Sequence, residues 1–242
     1  MITTDHGQLP RRRALGLLAA TVGVPLAGGG ITSARAFAQT SSSSDTDAGE
    51  TWSALLAGNA RFAGGTPRHP RTDPGRRASL VDGQNPVATV LGCADSRVPP
   101  ELVFDQGLGD LFTVRSAGEV LDEAVLGSLE FGIEHLRTPL TVVLGHARCG
   151  AVTAAIDVVR GGPVPRGDVA ALVQAIEPAV RSVPDDPDDD AFRAACIDEQ
   201  TRRVAAALPH RSSIIREAIE HQETRVVAAV YDLASGLVHE LG

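Results

Sequence analysis

Residues 140–154 read Leu-Thr-Val-Val-Leu-Gly-His-Ala-Arg-Cys-Gly-Ala-Val-Thr-Ala. A short β-like run stops at a glycine, a histidine and a cysteine follow, and a helix-forming stretch opens directly after the cysteine. Such an order makes a strand, a tight turn and a helix. Residues 91–101, Leu-Gly-Cys-Ala-Asp-Ser-Arg-Val-Pro-Pro-Glu, repeat the plan: an apolar run ends at a glycine and delivers a cysteine. Strands that alternate with helices imply a mostly parallel sheet with right-handed crossovers. Ligands of such sheets gather at the C-terminal strand ends, where Cys93 and His146 both fall.

The rest of the chain fits that scheme. Strands are expected at 86–92, 110–115, 140–144 and 225–232, and 237–241 pairs back as an edge strand. The fold class is therefore α/β, with a mostly parallel central sheet of about four strands, an antiparallel edge strand and flanking helices. Helical spacing marks 51–63, 121–136, 150–159, 168–180 and 191–208, with shorter helices at 99–104 and 212–221. Residues 66–84, rich in Pro, Arg and Gly, read as an extended arm, and 184–190 as an acidic linker. Aromatic residues make up only 3% of the chain, so the core is built mainly from Ala, Val and Leu. The formal net charge of −8 argues against nucleic acid or an anionic membrane as partner. Three cysteines do not make a disulfide framework in 242 residues.

The N-terminus reads as an export signal. Arg11, Arg12 and Arg13 precede an apolar run at 14–26, and Ala36-Phe37-Ala38 supplies small residues for cleavage after Ala38. Paired arginines before a weakly apolar run resemble a twin-arginine signal, which exports folded proteins. The apolar run is too short to span a membrane. The expected organisation is a signal peptide at 1–38, a disordered Ser/Thr/Asp-rich spacer at 39–50 and a catalytic domain at 51–242. Cleavage removes four arginines and one acid, leaving a soluble, acidic body outside the cytoplasm, periplasmic or extracellular.

Two thiolates and an imidazole are ligands that zinc takes. His146 and Cys149 belong to one turn, and Cys93 arrives from another strand end. Three protein ligands leave a fourth tetrahedral position open, which marks a catalytic zinc. Cys149 sits where a helix begins, and the helix N-terminus favours its thiolate. Asp95, two residues from Cys93, can reach the metal or its water. Arg97 can hold Asp95 by a bidentate pair, so Asp95 either orients the water or closes onto the metal. Ser96 reads as a hydroxyl capping the turn, and Cys196 as a small core residue.

At these residues the chain resembles the β-class carbonic anhydrases. Their pattern, Cys-x-Asp-Ser-Arg followed by His-x-x-Cys, stands here as Cys93-Ala94-Asp95-Ser96-Arg97 and His146-Ala147-Arg148-Cys149. The likeness extends from 51 to 242, including 58–62, 101–112, 125–130 and 230–236. It implies zinc-dependent, reversible hydration of carbon dioxide to bicarbonate and a proton by metal-bound hydroxide, with one Zn2+ per chain. By position it makes Cys93, His146 and Cys149 the zinc ligands, and Asp95 and Arg97 the catalytic dyad. It further implies a homodimer or a dimer of dimers, with the helix at 51–63 reaching across to the partner. Two departures stand out. Arg115-Ser116-Ala117-Gly118-Glu119 carries Glu119 where the family often has Asn. Val90 stands where members with a regulatory bicarbonate pocket have Trp, so no such pocket is expected. Two alternatives remain open: a carbon disulfide or carbonyl sulfide hydrolase on the same scaffold, and a non-catalytic secreted zinc-binding protein.

Overall fold

The apolar run that ends before Cys93 is strand β1 (Ala88–Gly92), with all five residues buried. It lies inside a five-stranded sheet with β2 (Leu111–Arg115), β3 (Leu140–His146), β4 (Arg225–Tyr231) and β5 (Val238–Glu240). The order is β2-β1-β3-β4-β5; the first four strands run parallel, and β5 pairs antiparallel with β4. The computed structural model describes residues 44–242; the signal expected at 1–38 and the first part of the spacer lie outside them.

Helices cover both faces, which is why β1 and β3 are buried at every residue and largely apolar, not alternating. Successive side chains still point to opposite sides. Val90, Val142 and Leu144 meet Trp52, Leu55 and Phe104 from α1 (Ser44–Ala63) and the end of α3 (Pro100–Val103). Leu91 and Val143 face the other way, onto Leu129 and Ile133 of α4 (Glu123–Glu134), Leu208 of α7 (Asp189–Arg211) and Ile215 of α8 (Ser213–Glu220). A third cluster fills the space between α5 (Gly150–Val159), α6 (Val169–Ser182) and α7 with Val152, Ile156, Val173, Ile176, Phe192 and Cys196.

Several boundaries differ from the expectation for physical reasons. The first helix begins at Ser44, so residues 44–50 are helical where a disordered spacer was expected, and Ala48 is buried. Burial on one face of the helix begins a turn further back, at Ala48, than the Ser/Thr/Asp composition suggests. α7 opens at Asp189 because Asp188 caps it, its Oδ1 accepting from the N–H groups of Asp190 (2.9 Å) and Ala191 (3.2 Å). The arm at 66–84 contains a short helix, α2 (Pro74–Ser79). It is pinned to the body by two buried carboxylates. Asp105 accepts from the backbone N–H groups of Arg68 (3.0 Å) and His69 (2.9 Å), and Asp110 from Arg71 Nε (2.7 Å).

From Trp52 onward α1 docks on its own chain. Gly58 lets it approach closely, since a Cβ there would strike the Phe104 carbonyl. Asn59 is buried and donates to the carbonyls of Val103 (3.1 Å) and Gly236 (2.8 Å), while Val238 N–H donates to its Oδ1 (2.8 Å). One side chain thus ties α1 to α3 and to the β4–β5 turn. Asn59→Ala strips a partner from all three backbone groups and is expected to cost about 3 kcal/mol or more, at roughly 1–3 kcal/mol for each buried polar group left unsatisfied. A urea denaturation curve with an unchanged midpoint would contradict this.

Candidate metal centre

Neighbouring parallel strands bring the two motifs together. Gly92 at the end of β1 lies in register with Leu144 of β3. The chain leaving β1 therefore places Cys93 beside the end of β3, where His146 is the last strand residue. This is the point at which the sheet order reverses, with β2 to one side of β1 and β3 to the other. Arg148 then takes a left-handed φ of 57°, which turns the chain so that Cys149 becomes the N-cap residue of α5. The Cys149 side chain makes no capping hydrogen bond and is left free for the site.

The ligand atoms of Cys93, His146 and Cys149 lie within 4.8 Å of one another, and all three residues are buried. The two Sγ atoms are 4.0 Å apart. Two thiolates on one tetrahedral zinc, at roughly 2.3 Å each, would sit about 3.8 Å apart. His146 Nδ1 lies 3.0 Å from the Ala147 carbonyl, to which it donates as Nδ1–H; this fixes the tautomer and turns the Nε2 lone pair inward. Nε2 is buried and has no hydrogen-bond partner among the described residues. An orphaned imidazole nitrogen beside two sulfurs is a costly arrangement for a protein alone. It suits a metal with soft and borderline ligands.

The two thiols share a proton. Cys93 is pulled down to about 4, first by the hydrogen bond with Cys149, against the opposing effect of burial, and further by His146 and the Gly118 N–H. Cys149 is pushed well above the ordinary thiol range, first by the same pair and then by burial. The helix N-terminus alone would have favoured the Cys149 thiolate; proximity to Cys93 wins, because two bare thiolates at 4.0 Å repel. A divalent cation held by Cys93, His146 and Cys149 would offset that repulsion and favour the second thiolate.

Asp95 stands in front of the trio and outside it. Arg97 grips it bidentately, Nε to Oδ1 at 2.9 Å and Nη2 to Oδ2 at 2.6 Å, and Arg97 N–H donates to Oδ1 at 2.9 Å. These bonds hold the Asp95 carboxyl well below the usual carboxylate range, with the Arg97 side chain the main cause. Its Oδ2 lies 3.8 Å from His146 Nε2. The turn expected to be capped by Ser96 is capped by Asp95 itself. Cys196 is buried in the third cluster, where burial pushes its thiol up to about 11.

A family model described as carbonic anhydrase matches residues 88–238. The chain is 44% identical over 189 residues to carbonic anhydrase 2 of Mycobacterium tuberculosis, covering 76% of this chain and 88% of that one. It is also 44% identical over 190 residues to the carbonic anhydrase of Mycolicibacterium smegmatis, covering 77% and 90%. The chain belongs to the β-class carbonic anhydrases. The fold agrees: a tetrameric β-carbonic anhydrase of Sordaria macrospora superposes with a TM-score of 0.62 at 22% identity, over 80% of this chain and 98% of that one. The β-carbonic anhydrase CafA of Aspergillus fumigatus gives 0.61 at 26%, over 78% and 90%.

Around the trio this carbonic anhydrase adds residues that no metal-ligand spacing could reveal. Arg115, at the end of β2, donates from Nε to the Cys93 carbonyl (2.8 Å) and from Nη2 to the Asp95 carbonyl (2.6 Å), bracing the loop that carries both. Gly118 N–H donates to Cys93 Sγ at 3.3 Å, and Gln200 of α7 donates to the Gly118 carbonyl at 3.0 Å. Glu119, flagged by its departure from the family pattern, is 2% exposed with a left-handed φ of 55°. Its Oε1 has no partner among the described residues, and burial, then the charge on Cys93, raises its carboxyl well above the usual range.

Proposed function

We propose that Cys93, His146 and Cys149 hold one Zn2+ per chain, and that this enzyme hydrates carbon dioxide there with Asp95 and Arg97 as its dyad. The observation that carries the reading is the buried, partnerless His146 Nε2 facing two sulfurs 4.0 Å apart. Bound zinc would supply a Lewis acid that brings a coordinated water's pKa to about 7.

The chain's own residues do the rest. Arg97 keeps Asp95 ionised, so the carboxylate only accepts hydrogen bonds. Its Oδ2, 3.8 Å from His146 Nε2, is placed to take the hydrogen of a water at the open face and fix where that water's lone pair points. Arg97 is half exposed at the mouth and presents positive charge to a departing bicarbonate. Asp95 is gripped by Arg97 at the edge of the trio, an arrangement a storage site does not need. That favours turnover over plain zinc binding.

Export after cleavage at Ala38 is part of the proposal and rests on Arg11–Arg13 ahead of the apolar run at 14–26. So is assembly as a homodimer or a dimer of dimers. The test measures zinc by elemental analysis and the acidification of a buffered carbon dioxide solution by stopped flow. One zinc per chain and a rate well above buffer are expected. Metal-free protein, or metal without a rate, would end the reading; sulfide release from carbonyl sulfide in a parallel assay would move the substrate.

A further inference from the structure

Gly118 is held from two sides. Its N–H donates to Cys93 Sγ at 3.3 Å, and its carbonyl accepts from Gln200 Nε2 at 3.0 Å. It lies in a 3₁₀ turn, Ala117–Glu119, at a left-handed φ of 65°. A Cβ here would sit 2.7 Å from Ile176 Cδ1 and 3.1 Å from Ala151 Cβ. Three helices therefore converge on one glycine: α5 through Ala151, α6 through Ile176 and α7 through Gln200. Apolar contact sets where the residue is. Gln200 bonds the carbonyl of the Gly118–Glu119 peptide, whose N–H donates to the Ser116 carbonyl at 3.1 Å, and together they anchor a glycine that would otherwise be free to rotate.

Gln200 is itself unusual. It is 4% exposed on a helix face otherwise spent on Cys196, Ile197, Thr201, Val204 and Leu208, and Thr201 bonds back to its own helix at the Ile197 carbonyl. Burying an amide costs free energy unless its bonds are made. Here the bond is spent on a turn that touches the metal centre.

We propose that Gln200 is a positioning residue of the metal centre: through the Gly118 carbonyl it anchors the 3₁₀ turn that holds the Gly118 N–H against Cys93 Sγ, and so it tunes the electron donation of that sulfur. A hydrogen bond to a thiolate draws off charge and leaves a bound metal more electrophilic; losing such an outer contact typically costs ~10–100-fold in metal affinity or activity. The inference rests on the reading of Cys93 as a ligand.

The test uses Gln200→Met, matched in length and apolar, in the cobalt-substituted protein. The thiolate-to-cobalt charge-transfer band is expected to shift to lower energy, because the sulfur regains the charge the bond withdrew, and metal loss to a chelator to speed about tenfold, because the turn no longer holds the sulfur in place for the ion. Leu208→Ala, two turns along the same helix, opens a core cavity and should lower thermal stability while leaving band and chelator rate unchanged. A Gln200→Met protein with the wild-type band and rate overturns the proposal, as does Leu208→Ala reproducing the shift. A wild-type protein that shows no thiolate band overturns the ligand reading together with it. A second measurement needs no variant: in 113Cd-substituted, 15N-labelled wild type, the Gly118 amide proton should show a scalar coupling to cadmium through the sulfur. A resolved coupling supports the contact, and its absence overturns it.

Discussion

Cys149→Ser is expected to lose its zinc and its turnover together while remaining folded. A serine hydroxyl is far harder to ionise than a thiol and offers a harder, poorer donor, so two ligands remain of three. Apparent binding energies for complete zinc sites run to about 10–16 kcal/mol, so removing one ligand should weaken affinity on the order of 10³-fold or more. The fold should survive because Cys149 is the N-cap of α5, where serine is among the favoured residues. The new hydroxyl can accept from an N–H of the first turn, a bond that Cys149 does not make. Zinc per chain, stopped-flow hydration and far-ultraviolet circular dichroism separate the effects. A zinc-loaded, active Cys149→Ser protein would remove the basis of the site assignment.

The site was legible in sequence because each ligand follows a short apolar run that ends in glycine. Such runs become buried strands whatever the rest of the chain does, and their C-terminal ends face one way. Two features lay outside that logic. That β1 and β3 are neighbours is a matter of sheet order, which no local pattern records; without it Cys93 and His146 have no reason to meet. Gln200 lies in a helix that reads as an ordinary amphipathic segment, and its role depends on a glycine 82 residues away. The start of α1 was misplaced because Ser, Thr and Asp disfavour a helix interior, and tertiary burial of Ala48 overrides that preference. The helix N-terminus by itself points to a Cys149 thiolate. The competing thiol of Cys93, 4.0 Å away, could be weighed only once both side chains were placed.

Asp95→Asn is expected to keep zinc and lose rate, roughly 10²–10⁴-fold, the usual range for a positioned acid–base group. The substitution is nearly isosteric, and Asp95 stands outside the group of three ligand residues. An amide facing Arg97 breaks one of its two bonds, because its NH₂ and the guanidinium are both donors. Arg97 is 51% exposed and can swing to water. The lone-pair acceptor that orients the water is then gone or turned away. The sign of the pH dependence follows from the depressed Asp95 carboxyl. The stabilisation from its pair with Arg97 is fully present above the unfolded carboxylate's value of about 3.9 and is lost only as pH falls through the still lower folded value. Near neutrality the dyad is ionised throughout, so it contributes no inflection to the rate profile there. Asp95→Asn should therefore lower the plateau and leave the midpoint in place, whereas a change at the metal's own sulfurs should move the midpoint. A displaced midpoint in Asp95→Asn, or a rate within about twofold of wild type, would show that the carboxylate does not act on the water as a fixed acceptor.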